Sequence, residues 1–238
     1  GKCFWMRVYE IPEGSKTAKG RAIQNLINIE QDDKVKAFIN TQDLKDEDYI
    51  NSHYVIMATK KGQVKKTLLE QYSRPRANGI NAITIKDDDE LLEAKLTTGN
   101  SQILLAVKSG KAIRFEEDKT RPMGRNASGV RGITLNGAND ELVGMVSVSD
   151  PKTEILVVSE NGYGKRSSLD DYRTTNRGGK GVKTLSITEK TGELVSIKNV
   201  SDLDDLMIIN KSGIAIRMDV ADLRVMGRAT QGVKLINL

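Results

Sequence analysis

Five times along this chain a small loop ending in glycine opens a short apolar stretch. The copies are KTAKGRAI (16–23), PRANGINAI (75–83), GRNASGVRGI (124–133), RGGKGVKTL (177–185) and GRATQGVKLI (227–236). The anchor glycines Gly20, Gly79, Gly129, Gly181 and Gly232 lie 59, 50, 52 and 51 residues apart. A second glycine keeps the same beat, at Gly62, Gly110, Gly162 and Gly213. Two independent marks on one period define a repeat protein. A period of about fifty residues is that of propeller-like arrays, in which each repeat is one small sheet that buries its faces only against its neighbours.

The strands within a repeat are legible around Gly129. GVRGITL (129–135) reads as a strand, NGAND as a turn, ELVGMVSV (141–148) as an alternating strand and SDPKT as a second turn. EILVVS (154–159) follows as a continuous apolar run, then the turn ENGYG and KRSSLDDY. Short strands divided by Gly, Asn, Asp and Pro are the pattern of an antiparallel meander. The third strand is the most apolar each time: YVIMAT (54–59), ILLAV (103–107), EILVVS and DLMIIN (205–210). A run without alternation is buried on both faces, as in the middle of a stacked blade. No segment carries a sustained helical stripe, so the expected fold is all-β and propeller-like, with its sheet edges suppressed by radial packing.

The composition narrows the chemistry. One cysteine, Cys3, excludes an internal disulfide and reads as a small buried residue in a reducing compartment. The one histidine, His53, reads as a surface loop residue. A single Cys and a single His exclude a zinc site built from these ligands and a Cys–His catalytic pair. No stretch reaches the ~20 apolar residues of a membrane span, and the N-terminus is not that of a signal peptide. The net charge of +5 is a modest basic excess that suits a polyanionic partner.

That charge is concentrated in the repeat loops. Lys16, Lys19 and Arg21 belong to the first, Arg74 and Arg76 to the second, and Arg121, Arg125 and Arg131 to the third. Arg173, Arg177, Lys180 and Lys183 belong to the fourth, and Arg224, Arg228 and Lys234 to the fifth. These fifteen of the 37 Lys and Arg sit in loop segments that contain no Asp or Glu, while acids collect at 43–48, 86–90, 115–118 and 201–205. Equivalent loops on one rim would form a basic belt with its acids elsewhere. Cations neutralise phosphates and release counterions, and glycines let backbone N–H groups approach the same oxygens. The loop TTNRGGKG (174–181) could form an anion-binding nest through Gly178 and Gly179, although the spacing and strand-to-helix context of a P-loop are missing. Aromatic residues, 4% of the chain, do not recur in the loops, which argues against stacked single strands. No recognition helix or zinc finger is evident. The expected ligand is duplex DNA, read through its backbone and bent.

The runs GKCFWMRVYEIPEGSKTAKGRAI, RPMGRNASGVRGITL, NGYGKRSSLDDYRTTNRGGKGVKT and VMGRATQGVKLI resemble the C-terminal domain of DNA gyrase A, over essentially the whole chain. The resemblance implies a six-bladed β-pinwheel whose neighbouring repeats exchange a strand, here lacking most of the first blade and the end of the last. The blade units would be 1–13 (partial), 14–72, 73–120, 121–172, 173–223 and 224–238 (partial). It further implies a non-sequence-specific domain that wraps duplex DNA with positive handedness, so that the holoenzyme introduces negative supercoils in the bacterial cytoplasm. The partners would be the rest of the gyrase A protein and the gyrase B protein. The domain itself would hold no cofactor, because ATP and Mg²⁺ serve the gyrase B protein and the cleaving tyrosine lies in the N-terminal part of gyrase A. None of the six tyrosines here would then be catalytic. The family's signature heptad, close to Q-R-R-G-G-K-G, finds its nearest match in TNRGGKG (175–181), with Thr175 and Asn176 in place of Gln and Arg, which fits an internal copy. Two alternatives share the architecture: the corresponding C-terminal domain of topoisomerase IV, with more degenerate repeats, and a propeller used for protein interaction. A propeller enzyme would gather carboxylates or metal ligands at its axis, and no such set stands out.

Overall fold

The computed structural model describes residues 1–15 and 17–237, and the candidate Lys16 lies outside them. In chain order the strands are β1 (Lys2–Cys3), β2 (Tyr54–Thr59), β3 (Gln63–Leu68), β4 (Ile80–Asn81), β5 (Leu91–Thr97), β6 (Gln102–Val107), β7 (Lys111–Glu116) and β8 (Val130–Arg131). They continue with β9 (Leu142–Val148), β10 (Glu154–Ser159), β11 (Tyr163–Ser168), β12 (Val182–Lys183), β13 (Leu194–Val200), β14 (Asp205–Ile209), β15 (Ala215–Asp219) and β16 (Val233–Lys234). Among the described residues the one α-helix is α1 (Glu47–Ser52), a six-residue turn whose N-terminus is capped by Asp46.

Three sheets have four strands, in the orders β5-β2-β3-β8, β9-β6-β7-β12 and β13-β10-β11-β16; two more are the pairs β1-β4 and β14-β15. All ladder pairs between these strands are antiparallel. A repeat is therefore not a sheet. The consecutive strands β8, β9, β10 and β11 are dealt to three different blades: β8 closes the first complete sheet, β9 lines the second, and the hairpin β10–β11 forms the middle of the third. Each blade is completed by chain that comes about eighty residues after it begins, and neighbouring blades are tied by shared chain rather than by side chains alone.

The inner and outer edges follow from this order. Strand β9 touches both β5 and β13, so these three edges meet on the inside, and β8, β12 and β16 lie on the perimeter. The hydrophobic core is a series of layers between blades. Ile56, Ala58 and Val64 pack against Ile103, Leu105, Ile113 and Phe115, and the opposite face of the second sheet, with Leu104 and Ala106, meets Ile155 and Val157. The continuous apolar runs are sandwiched accordingly: β2 and β6 are buried at every position but the first.

Two expectations fail locally. DLMIIN is not buried on both faces, because β14 pairs with β15 alone, and Met207 and Ile209 are exposed while Leu206 and Ile208 pack inward. The glycine loop at Gly20 opens no strand: a 3-10 turn at Ile23–Asn25 stands there, and among the described residues the segment joins no sheet.

The anchor glycines mark where a perimeter strand meets its hairpin. Gly181 has φ +70, and a Cβ there would lie 2.5 Å from the carbonyl oxygen of Ala112. Gly129 and Gly232 meet Val64 and Gly164 in the same way, so no side chain fits where the loop closes on the strand.

A side chain four residues after Gly1, Gly62, Gly110 and Gly162 latches one blade to the next, whereas Arg217, four after Gly213, pairs with Asp205 inside its own hairpin. Trp5 Nε1 donates to the Tyr72 carbonyl at 3.0 Å. Lys66 pairs with Glu117 at 3.2 Å, and Arg114 Nη1 donates to the carbonyls of Leu169 and Tyr172 at 2.8 and 2.9 Å. Arg166 reaches the Leu223 carbonyl in the following turn. The Lys66–Glu117 pair is almost fully excluded from water, and Glu117 also accepts from the Thr97 hydroxyl and the Ser101 amide. Replacing Glu117 by Ala strands a buried ammonium, so it should destabilise the domain by about 3–5 kcal/mol. Urea unfolding monitored at Trp5 checks this; a loss below about 1 kcal/mol would mean that the pair is not the buried latch described.

Candidate nucleic-acid interface

The repeat loops follow the outer edges of the hairpins. The amides of Met123, Thr175 and Met226 donate to the carbonyls of Lys66, Arg114 and Arg166 at 2.8, 2.9 and 2.8 Å. Further along, the amides of Gly132, Thr184 and Leu235 donate to Gly62, Gly110 and Gly162, each at 2.8 Å. Each of these three loops is thus stitched to one hairpin at both ends, which covers that strand's unpaired edge and leaves its middle on the perimeter.

The predicted cations divide by role. Arg125, Arg177 and Arg228 occupy equivalent positions, are half-buried, and bond backbone carbonyls. Arg177 donates from Nε to Lys119 and from Nη1 to Arg131, both at 2.9 Å. Arg228 does the same to Asp171 at 2.9 Å and Lys183 at 2.7 Å, and Arg125 Nη1 reaches Asn81 at 3.2 Å. Each arginine therefore staples its own loop to the perimeter strand of the preceding blade. That contact brings Arg177 beside exposed Arg131, and Arg228 beside exposed Lys183. Lys234 is the exposed equivalent on β16.

At the first junction Arg74, Arg76 and Arg125 line one shallow cavity of about 270 Å³, together with Glu70 and Gln71. Arg121, Arg173 and Arg224 are exposed and follow the 3-10 turns Glu117–Lys119, Leu169–Asp171 and Val220–Asp222. Those turns bring Asp118, Asp170, Asp171 and Asp222 to the margin of the rim, so the acids are not wholly segregated from it. Lys19 and Arg21 are exposed in an irregular segment, and their side chains join no hydrogen-bonded cluster among the described residues.

In the RGGKG loop, Gly179 and Lys180 are exposed, but the Gly178 amide turns inward and donates to the Gly132 carbonyl at 2.7 Å. Thr134 takes the carbonyls of Gly178 and Gly179 through its hydroxyl at 2.6 Å and its amide at 2.9 Å. An anion would therefore meet Lys180 and the amides beyond Gly178.

Two cations escaped the sequence reading. Lys65 and Lys165 are fully buried, one on β3 and one on β11. Lys65 Nζ donates to the carbonyls of Ala82 and Arg125, both at 2.5 Å. Lys165 Nζ donates to Gly227 at 2.7 Å, to the Thr230 carbonyl and hydroxyl at 2.9 and 3.1 Å, and to the Arg228 carbonyl at 2.5 Å. Burial lowers both ammonium groups from 10.5 to about 8. Their neighbours Tyr72 and Tyr172 are also buried, and burial raises both phenols to about 12. A usable sequence signal exists in hindsight: each buried Lys is followed seven residues later by Tyr, whereas Ile113 at the equivalent site is followed by Thr120.

The molecule is a strand-exchanged propeller with a basic perimeter. The family model for the DNA gyrase C-terminal domain, beta-propeller, matches residues 1–42, 53–98, 102–149, 153–201 and 204–238, and the chain belongs to that family. It is 45% identical to the DNA gyrase A protein of Staphylococcus aureus (strain NCTC 8325) along its whole length, which covers 26% of that protein; the chain thus spans about a quarter of the length of such relatives. A solved DNA gyrase A C-terminal domain superposes on all of it with a TM-score of 0.84 at 25% identity, over 75% of that structure. The C-terminal domain of DNA topoisomerase IV shares the fold, with a TM-score of 0.85 at 24% identity over 97% of this chain and 70% of that structure. Among the described residues no helix is long and apolar enough to cross a membrane.

The division between staples and free cations separates stability from binding. Arg177→Ala removes two charge-assisted hydrogen bonds and should lower unfolding free energy by about 1–3 kcal/mol. Lys180→Ala should leave the melting temperature within error. Thermal unfolding of both variants decides it, and equal melting temperatures would show that Arg177 is not a staple.

Proposed function

We propose that this domain holds duplex DNA along its perimeter through the phosphate backbone, without sequence preference, and bends it around the disc. The observation that supports the reading is the recurrence, at successive blade junctions, of a staple arginine beside further exposed cations: Arg74 and Arg76 with Arg125, Arg131 with Arg177, and Lys183 with Arg228. Such an array matches a ligand with evenly spaced charges. Among the described residues the rim shows no recognition helix or aromatic platform of the kind that base reading or single-strand stacking would need.

Bending duplex around so small a body costs several kcal/mol, and closely spaced phosphate contacts offset it. In the parent enzyme the wrap has positive handedness and presents a second DNA segment, so that ATP-dependent strand passage yields negative supercoils. That reading assigns the domain to the gyrase A protein of a bacterial, cytoplasmic type II topoisomerase, working with the gyrase B protein, which hydrolyses ATP with Mg²⁺. The domain contributes geometry rather than a reacting group: Tyr72 and Tyr172 are buried beneath the rim, unsuited to attack a phosphodiester.

The test is fluorescence anisotropy of a random-sequence duplex over a series of KCl concentrations. With roughly six to ten phosphates engaged, log K against log salt should fall with a slope of about −5 to −9, equally for unrelated sequences. A salt-independent affinity, or tight preference for one sequence, would contradict backbone readout.

A further inference from the structure

We propose that Lys65 and Lys165 are positioning residues for duplex binding, whose buried ammonium groups hold the backbone of the 124–129 and 227–232 loops and supply positive charge from beneath them. This rests on the perimeter being the DNA surface.

The three loops that close the complete sheets differ in what lies above and below them. In RNASG (125–129) and RATQG (228–232) no cation stands between the staple arginine and the anchor glycine. Beneath these two, Lys165 donates only to loop oxygens and Lys65 to the Arg125 carbonyl of its loop and to the Ala82 carbonyl just after β4, and among the described residues neither forms an ion pair with a carboxylate. In RGGKG (177–181) the equivalent strand position is Ile113, whose Cδ1 lies 3.4 Å from a Cβ built on Gly179, and the loop carries Lys180 on its outer surface instead. Each loop thus has one lysine, set below in two and on top in the third.

A cation that gathers carbonyls inward has two effects on the outside. It fixes the loop, so that the flanking Arg125 or Arg228 is already placed when a phosphate arrives. No carboxylate pairs with it directly, although Asp171 lies near enough to Lys165 to offset part of its charge, and the charge acts through protein rather than water, where the interaction with a nearby phosphate is stronger. A duplex phosphate above the loop favours the protonated lysine, so binding and protonation are linked.

The surroundings define a pH window. Lys65 faces Arg125 from the loop, Tyr72 from the 3-10 turn, and Cys3 and the Gly1 amine from the first strand. Lys165 faces Arg228 and Asp171, with Tyr172 beside it. The tyrosines, raised to about 12, and Cys3, raised to about 11, stay neutral below pH 9.5. Burial pulls the Gly1 amine below its usual value. The two lysines, near 8, change charge within the window. A purely structural role would affect stability alone: unfolded lysine titrates near 10.5, so the folded state gains stability as pH rises from about 8 towards 10.5. Binding would move in the opposite direction, because the neutral amine no longer attracts phosphate.

The experiment measures affinity for a random duplex at constant ionic strength from pH 7 to 9.5. The chain itself, the K65M/K165M double variant and K180A are compared. The parent chain should lose on the order of tenfold in affinity across the range. K180A should be weaker but equally pH-dependent, because both buried lysines are still present in it. K65M/K165M should bind more weakly at pH 7 and be nearly flat. Calorimetry of the parent chain at pH 8.5 in buffers of different ionisation enthalpy tests the same linkage without any variant, and proton uptake on binding is expected. A flat parent profile with no proton uptake, or a double variant with an unchanged pH profile, would overturn the proposal while leaving backbone readout intact. Absence of duplex binding at low salt would overturn both.

Discussion

Everything on the perimeter depends on one backbone arrangement: the loop that delivers each outer strand runs along the free edge of a hairpin formed earlier in the chain. The amides of Met123, Thr175 and Met226 tie the loop to that edge, and the glycine at its end closes on the strand so tightly that a Cβ would collide with a carbonyl. Without this path the short strands β8, β12 and β16 would have no partner, and each hairpin would leave its outer edge open to other chains. The exchange also makes the blades interdependent, since one sheet draws on three stretches of sequence.

The same path organises the charge. A loop tied at both ends has little freedom, so the arginine near its start meets the perimeter strand of the preceding blade and bonds its carbonyls. Arg177 and Arg228 thereby give up two donors each to the fold, while the remaining part of each guanidinium stays at the surface. Structure and recognition share side chains here. The inner carbonyls need donors as well, and a buried lysine supplies them in two blades whereas Thr134 serves the loop above Ile113. The loops are tied down before any ligand arrives, which would suit a surface proposed to bend a stiff polymer.

Most of the strands could be read from the sequence, because EILVVS and its counterparts are apolar runs bounded by turn residues, and because the glycine beat locates the hairpins. Which sheet a strand joins could not. The pairs Val130–Arg131 and Val182–Lys183 carry no local pattern that names their partner, and their register is set by loop length and the anchor glycine. The basic loops were visible as composition, but a charged residue in sequence does not reveal whether its donors face water or a carbonyl. Arg177 belonged to the basic rim and is a staple; Lys65 and Lys165 lie outside the repeat loops and are buried beneath them. The exposed face of β14 shows the reverse error, an apolar run that takes its burial from neighbours and not from its own sequence.

The central claim is that the perimeter loops, and not the ends or the inside of the disc, meet DNA. Amide hydrogen exchange of the domain with and without a random duplex at low salt tests it most directly. Added protection should fall in residues 74–80, 124–131, 177–183 and 228–234, with the hairpin turns at Gly62, Gly110 and Gly162 and the inner strands β5, β9 and β13 unchanged. Protection confined to those turns or inner strands, with the four loops unaffected, would contradict the account.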